Sequence, residues 1–395
     1  MKQTNKILAN EIVTFARTIF GNDFIPLHRP VFEGNERQYL VDCIDSNFVS
    51  SVGEKVTEFE RHIAEFTGSK YAIATVNGTA ALHVAIELAG VKPGDEVISQ
   101  AVTFIATCNA ISYSGAKPLF IDVDKDTMGL SPSALKEFLE EHAEQRINGT
   151  YNKLSGKRIS ACIPMHTFGF PCRIQEIAKI CSDWNIALIE DAAESLGSYV
   201  GKCHTGNFGS MATLSFNGNK VITTGGGGMI ITDNSELAER AKYITTTAKV
   251  PHPYEFIHDQ IGYNYRMPNL NAALGCAQME RLDDFLKIKL ELANKWDIFF
   301  SQKNAEFVKP VKGFKANHWL NAIILDSKVD RDGFLKFTNE NGVMTRPIWR
   351  LMSELPMFKN CQSDTLHNSK WLEDRVVNIP SSVPDGALQK LDKKL

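Results

Sequence analysis

From Tyr71 to Asp191 the chain repeats one pattern: a short apolar run, a turn, then a helical stretch. YAIATV is followed by the turn NGT and the helical AALHVAIELAG, which ends at KPGDE. EVISQ, a helix near Ala106 to Tyr113 and KPLFIDVD make a second round. SPSALKEFLEEH comes next, with Ser131 as capping residue and Pro132 at the first helical position. RISACIPM, RIQEIAKICSDWN and IALIED make a third. Strands alternating with helices predict an α/β fold, a mostly parallel sheet covered on both faces. Ligands of such sheets sit beyond the carboxyl ends of the strands, so Asn77–Thr79 and Asp191–Glu194 are where chemistry is expected.

The flanks read differently. MKQTNKILANEIVTFARTIFG is an amphipathic helix, with Ile7, Leu8, Ile12, Phe15 and Ile19 near helical spacing, and its charges exclude a secretory signal. FVSSVGEKVTEFERHIAEFTG passes from a loop around Ser50, Ser51 and Gly53 into a helix with Val56, Phe59 and Ile63 on its core face. After about Asp283, LDDFLKIKLELANKWDIFF is one long helix leading into a smaller α+β unit with WLNAIILD as a strand. The expected division is a helical arm and loop over 1–55, a large domain over 56–283 and a small C-terminal domain over 284–395. No window holds the ~20 apolar residues of a membrane span. A net charge of −3 gives no reason to expect nucleic acid or an anionic membrane as partner. The eight cysteines show no CxxC pair or zinc-type cluster, so no metal site is expected, and reduced thiols make the cytoplasm the default compartment.

Two residues stand out only when read together. Asp191 ends the run IALIE and opens the turn DAAESLGS, where a carboxylate faces a ligand or caps a helix. Lys220 lies in LSFNGNKVITTGGGGMIITD, and a lone lysine there is ordinarily a solvated charge. Gly225 to Gly228 fit no phosphate loop, having neither GxGxxG nor GxxxxGK[ST] and a strand-like sequel, so they read as a tight crossing between strands. A strand-end aspartate, a downstream lysine preceded by Ser215, and the helix start NGTAAL make a coherent pyridoxal phosphate (PLP) site. That cofactor needs a lysine amine for attachment, an anion at its ring nitrogen and donors for its phosphate. The helix start near Thr79 offers N–H groups and a favourable dipole for the phosphate.

The motifs NGTAALH, TFIATCNAISYSGAKPLFIDVD, EDAAESLGS, SFNGNK, GGGGMI and GYNYRMPNLNAALG resemble the DegT/DnrJ/EryC1/StrS sugar aminotransferases, PLP enzymes of fold type I (aspartate-aminotransferase-like). The resemblance implies Lys220 as the cofactor lysine and Asp191 at the ring nitrogen. It implies Thr79, Ala80 and Ser215 at the phosphate and Phe104 stacked on the ring. Glu194 occupies a position where relatives vary between Gln, His and Glu, beside the ring or the sugar. Asn264 in GYNYRM corresponds to an asparagine that reaches the cofactor phosphate of the other subunit, which implies a homodimer with shared sites; Arg266 is either part of that motif's function or a structural ion-pair partner. Members with histidine in place of the lysine are dehydratases, and this chain keeps Lys220.

L-glutamate is the implied amino donor, and a nucleotide-linked 4-keto-6-deoxy sugar the acceptor. VSSVGEKVTEFE, AKVPHPYEFIHDQIGYNYRM and GVMTRPIWRLM resemble enzymes that aminate UDP-2-acetamido-2,6-dideoxy-4-keto-hexose for bacillosamine- or legionaminic-type surface sugars. Ser51, Glu194, Lys249, His252, Arg346 and Arg350 are the candidate substrate residues, the cations serving the diphosphate. A GDP- or dTDP-linked sugar is the alternative acceptor. A nucleotide-sugar oxidoreductase would want a dinucleotide fingerprint, which the sequence lacks. A non-catalytic binding or regulatory homologue is opposed by the joint retention of Lys220, Asp191, Ser215 and Asn264.

Overall fold

The apolar runs between Tyr71 and Thr232 become strands of one sheet in the computed structural model, which describes residues 3–303 and 305–393. The outer limits of the first and last expected segments, residues 1 and 395, lie outside the described residues. Helices α1 (Gln3–Phe20), α2 (Glu36–Asp45) and α3 (Glu54–Thr67) come first. Then follow β1 (Tyr71–Thr75), α4 (Gly78–Leu88), β2 (Glu96–Gln100), α5 (Ile105–Tyr113), β3 (Lys117–Ile121) and α6 (Pro132–His142). A hairpin, β4 (Ala143–Arg146) and β5 (Gly149–Asn152), leads to β6 (Arg158–Ile163), α7 (Ile174–Asp183) and β7 (Ala187–Asp191). Two short strands, β8 (Tyr199–Val200) and β9 (Cys203–His204), precede β10 (Met211–Ser215) and β11 (Gly228–Thr232).

The strand order is β1-β11-β10-β7-β6-β2-β3, with β10, β7, β6, β2 and β3 parallel and β11 antiparallel to both its neighbours. The strands are buried on both faces, which is why they read as continuous apolar runs rather than alternating ones. Gln100, buried at the end of β2, has its side chain satisfied on both sides. Gln100 donates to Val102 O at 2.7 Å and accepts from Leu130 N–H at 2.9 Å and Met165 N–H at 3.0 Å. Ser131 caps α6 with Pro132 in its first turn, as the sequence predicts. The β4–β5 hairpin is an element the sequence reading did not anticipate; its signal was the Asn148-Gly149 pair, where the turn ends and β5 begins, with Gly149 at φ 130°.

Gly225–Gly228 do not form a tight crossing. Ser215 pairs directly with Gly228, and residues 216–227 loop out to carry Lys220. Gly228 is glycine for a different reason: a Cβ there would lie 2.4 Å from the Asn77 carbonyl. Its absence lets β11 press against the start of α4.

Beyond the sheet, α8 (Ser235–Thr245) leads to a small hairpin, β12 (Lys249–Val250) and β13 (Ile257–His258), then to α9 (Asn269–Met279) and the long α10 (Leu282–Phe300). The C-terminal part holds β14 (Glu306–Phe307), β15 (Phe314–Lys315), β16 (Asn321–Ile324), α11 (Lys328–Glu340), β17 (Arg346–Pro347) and β18 (Val376–Ile379). Its antiparallel sheet runs β14-β16-β18-β17, while β15 pairs with β8 and joins this part to the loop after β7. Helix α1 packs against α11, with Leu8, Ile12 and Ala16 in one cluster with Trp296, Phe334 and Val377. Ile7 faces away, 56% exposed, because the stripe at four-residue spacing begins at Leu8. No helix among the described residues is long and apolar enough to cross a membrane, and all eight cysteines are free.

Lys289, on α10, is buried, and its ammonium donates to Trp319 O at 3.1 Å and Ser381 O at 2.7 Å. Burial pushes its pKa down to about 7 from 10.5. Between those values the unfolded chain binds more protons than the folded one, so this group makes stability rise with pH across that window. The stability of wild type relative to Lys289→Met is therefore expected to rise from pH 7 upward, by at most about 1.4 kcal/mol per pH unit. Thermal unfolding of both proteins at stepped pH checks this, and a difference independent of pH contradicts it.

Candidate active site

The carboxyl ends of the central strands and the start of α4 converge on a cavity of about 670 Å³. Asp191 forms its floor, and its side chain is almost fully buried. Thr107, one turn into α5, donates its hydroxyl to Asp191 Oδ2 at 2.6 Å, and Ala193 N–H reaches Oδ1 at 3.2 Å. Burial raises the pKa of Asp191, while these two hydrogen bonds and the Lys220 charge pull it back. The helix-cap reading fails, since turns and not a helix follow Asp191.

Lys220 is not a surface charge; its side chain is only 13% exposed. Its ammonium lies 4.0 Å from the centre of the Trp319 ring and 3.3 Å from Glu194 Oε1. Trp319 is itself held by an indole N–H bond to Asn219 O at 2.6 Å. Glu194 accepts the Phe168 N–H on its other oxygen, at 2.8 Å. Burial lifts the Glu194 pKa to about 7, against the lowering effects of Lys220 and that N–H.

The opposite wall is the first turn of α4. Asn77 Oδ1 caps Ala80 N–H at 2.8 Å, so the first-turn residues that line the cavity are Gly78 and Thr79, not Ala80. Ser215 also lines it, so close to Gly78 that a Cβ on the glycine would meet the serine Cβ at 3.0 Å. Phe104 ends the loop after β2, lines the cavity and is 49% exposed. Trp349, with Arg346 and Arg350, forms the outer rim. Arg346 is tied to Asn339 Oδ1 at 2.9 Å, whereas Arg350 extends into solvent.

Other candidates lie elsewhere. Among the described residues lining this cavity, Ser51, Lys249, His252 and Asn264 are absent. Lys249 rests its ammonium 4.1 Å from the Phe256 ring, on the β12–β13 hairpin. His252 lies 3.8 Å from Glu255. Asn264 is exposed, and its backbone bridges Thr246. The backbone of Arg266 bridges Thr75.

These residues fit pyridoxal phosphate. A buried carboxylate whose hydroxyl and N–H partners carry no charge suits a ring cation, a half-buried amine suits attachment, and a helix start beside a serine suits a phosphate. Sequence reading missed three supports. Thr107 was legible as a threonine one helical turn after Thr103, but Trp319 and the Phe168 amide come from chain segments with no local signal.

Thr107→Val keeps the shape of the side chain and removes its hydrogen bond to Asp191. A bond to a charged group is worth about 1.5–3 kcal/mol, so the half-reaction with the amino donor is expected to slow by roughly tenfold or more. Rapid mixing measures it, and an unchanged rate contradicts the role.

The sequence profile of the DegT/DnrJ/EryC1/StrS aminotransferase family covers residues 30–386. The chain is 36% identical to the GDP-perosamine synthase of Vibrio cholerae, over 90% of this chain and 94% of that protein. It is 35% identical to the GDP-perosamine synthase of Escherichia coli O157:H7, over 91% and 93%. The aminotransferase TlmJ of Streptoalloteichus hindustanus shares the fold, with a TM-score of 0.81 at 24% identity over 90% and 93% of the two chains. The expected resemblance was to UDP-sugar enzymes, whereas these two relatives carry GDP in their names. This chain belongs to the DegT/DnrJ/EryC1/StrS aminotransferase family and is a pyridoxal-phosphate-dependent aminotransferase.

Proposed function

We propose that this protein moves an amino group from L-glutamate to the ketone of a GDP-linked keto sugar. The observation that carries the chemistry is one cavity holding a half-buried amine, Lys220, above a buried carboxylate, Asp191. The GDP assignment is supported by the relatives' names. Pyridoxal phosphate, when bound, supplies the electron sink. Asp191, as the anion at the ring nitrogen, keeps that sink effective. Lys220 is the group that moves the proton, from the donor's α-carbon in one half-reaction and back in the other. Arg350, exposed on the rim, is the cation offered to the diphosphate, with Arg346 beside it. The test is turnover of GDP-, dTDP- and UDP-linked 4-keto-6-deoxy sugars with glutamate. A kcat/KM at least about tenfold higher for the GDP sugar is expected, a difference of about 1.4 kcal/mol. Preference for a UDP sugar overturns the nucleotide assignment and leaves the amino transfer standing.

The same reading makes the enzyme a homodimer in which Asn264 serves the neighbour's site. Its support is an exposed apolar patch just before Asn264: Tyr254 is 81%, Phe256 80% and Ile261 84% exposed. Lys220→Ala and Asn264→Asp, each inactive alone, are expected to recover about a quarter of wild-type activity per chain when mixed. Random exchange makes about half the dimers mixed, and each of those has one intact site. A mixture that stays inactive after verified exchange, with both homodimers folded, rules out sharing through Asn264.

A further inference from the structure

Glu194 is built into the site more firmly than a solvent-facing contact would need. The residue is 4% exposed, with Oε2 on the Phe168 N–H at 2.8 Å and Oε1 on Lys220 Nζ at 3.3 Å. Phe168 presents that N–H from a left-handed backbone, φ 57°, which side-chain-bearing residues avoid. Gly169 follows at φ 92°, where a Cβ would overlap Asn317 Oδ1. The Asn317 amide in turn donates to the Glu194 carbonyl at 2.8 Å. An unfavourable turn is thus held in place to occupy one carboxylate oxygen and leave the other to the lysine.

The charged and titratable groups around the pair are few. Asp191 faces Glu194 from the end of β7, and Lys220 from the loop after β10. His28 senses Lys220 from the N-terminal segment, and Arg346 and Arg350 stand on the rim. From the C-terminal part the group against the Lys220 ammonium is Trp319, which brings an uncharged ring. Burial has lifted the carboxyl group to about 7, so it takes up and gives a proton near neutral pH.

We propose that Glu194 is the proton partner of Lys220. The ammonium gives one proton to Oε1, leaving a neutral amine and a neutral carboxyl group, and the reverse transfer restores the ion pair. This rests on the reading of Lys220 as the proton-moving cofactor lysine. Its consequence is that a proton kept within the pair makes the neutral-amine fraction nearly independent of pH between the pair's two titrations. A lone lysine would instead gain neutral amine about tenfold per pH unit below its pKa.

The experiment uses cofactor-free protein, wild type and Glu194→Gln. Capture of added pyridoxal phosphate is followed by its visible absorption band from about pH 6 to about pH 9, which brackets the raised Glu194 carboxyl group. The amide keeps an oxygen for Phe168 N–H and cannot exchange the proton. Taking the ratio of the two rates cancels the reagent's own titration. That ratio is expected to change by roughly tenfold per pH unit over part of the span. A ratio constant with pH means Glu194 only braces the site, and overturns the proposal. Glu194→Asp, still ionisable, is expected to keep the wild-type profile shape; a profile like that of the amide overturns it. Should the amide variant not fold, acetylation of Lys220 in wild type, read by mass spectrometry across the same pH range, decides: a plateau supports the pair and a single-group titration overturns it. If wild type captures no cofactor at Lys220, the functional reading falls and this proposal with it; capture with a constant ratio removes only the latter.

Discussion

In Lys220→Ala, amino transfer is expected to fall by at least ~10⁴-fold while the fold persists, because the proposed function has one amine both attach the cofactor and move the proton. The surroundings tolerate the loss. Glu194, already lifted by burial to about 7, takes a proton when its cationic partner disappears, so no bare charge is left buried. Trp319 keeps its bond to Asn219 O and its place in the wall. Single-turnover assays with glutamate, the visible band of bound cofactor and circular dichroism together check this. Near-normal turnover would mean that another group does the work assigned to Lys220.

Asp191→Asn is expected to slow the glutamate half-reaction by ~10²–10³-fold, the scale of removing one preorganised electrostatic partner from a charge-developing site. The amide preserves the packing: its oxygen still accepts from Ala193 N–H, and its nitrogen donates to the Thr107 hydroxyl now that the carboxylate has gone. Cofactor binding should therefore survive and the rate should not, which separates charge from shape. Rapid-mixing rates equal to wild type would remove Asp191 from the ring nitrogen.

These two predictions rest on unequal foundations in the chain. Asp191 and Lys220 were legible because a strand-end aspartate, a downstream lysine and the motifs around them were read together; a lone lysine in that loop would have passed as a solvated charge. Strand and helix positions were legible for the same local reason, since a segment buried on both faces must be apolar along its length. The glycine run was misjudged because the constraint on Gly228 is the Asn77 backbone, remote in sequence and touching it only after folding. The Ala80 expectation shifted for a finer reason: the Asn77 side chain claims that N–H, leaving Gly78 and Thr79 on the cavity.

What the amino-acid sequence determined by itself was the alternation of strands and helices through the parallel part of the sheet, the family, and the two groups proposed for the centre of the chemistry. Those are encoded in short-range periodicity and in contiguous motifs. Only the tertiary structure decided how these groups are tuned. Thr107 reaches Asp191, Phe168 orients Glu194, and Trp319 from the C-terminal part walls in Lys220. The proton affinities of Asp191 and Glu194 depend on desolvation, a property of everything packed around a carboxyl group rather than of its neighbours in the chain.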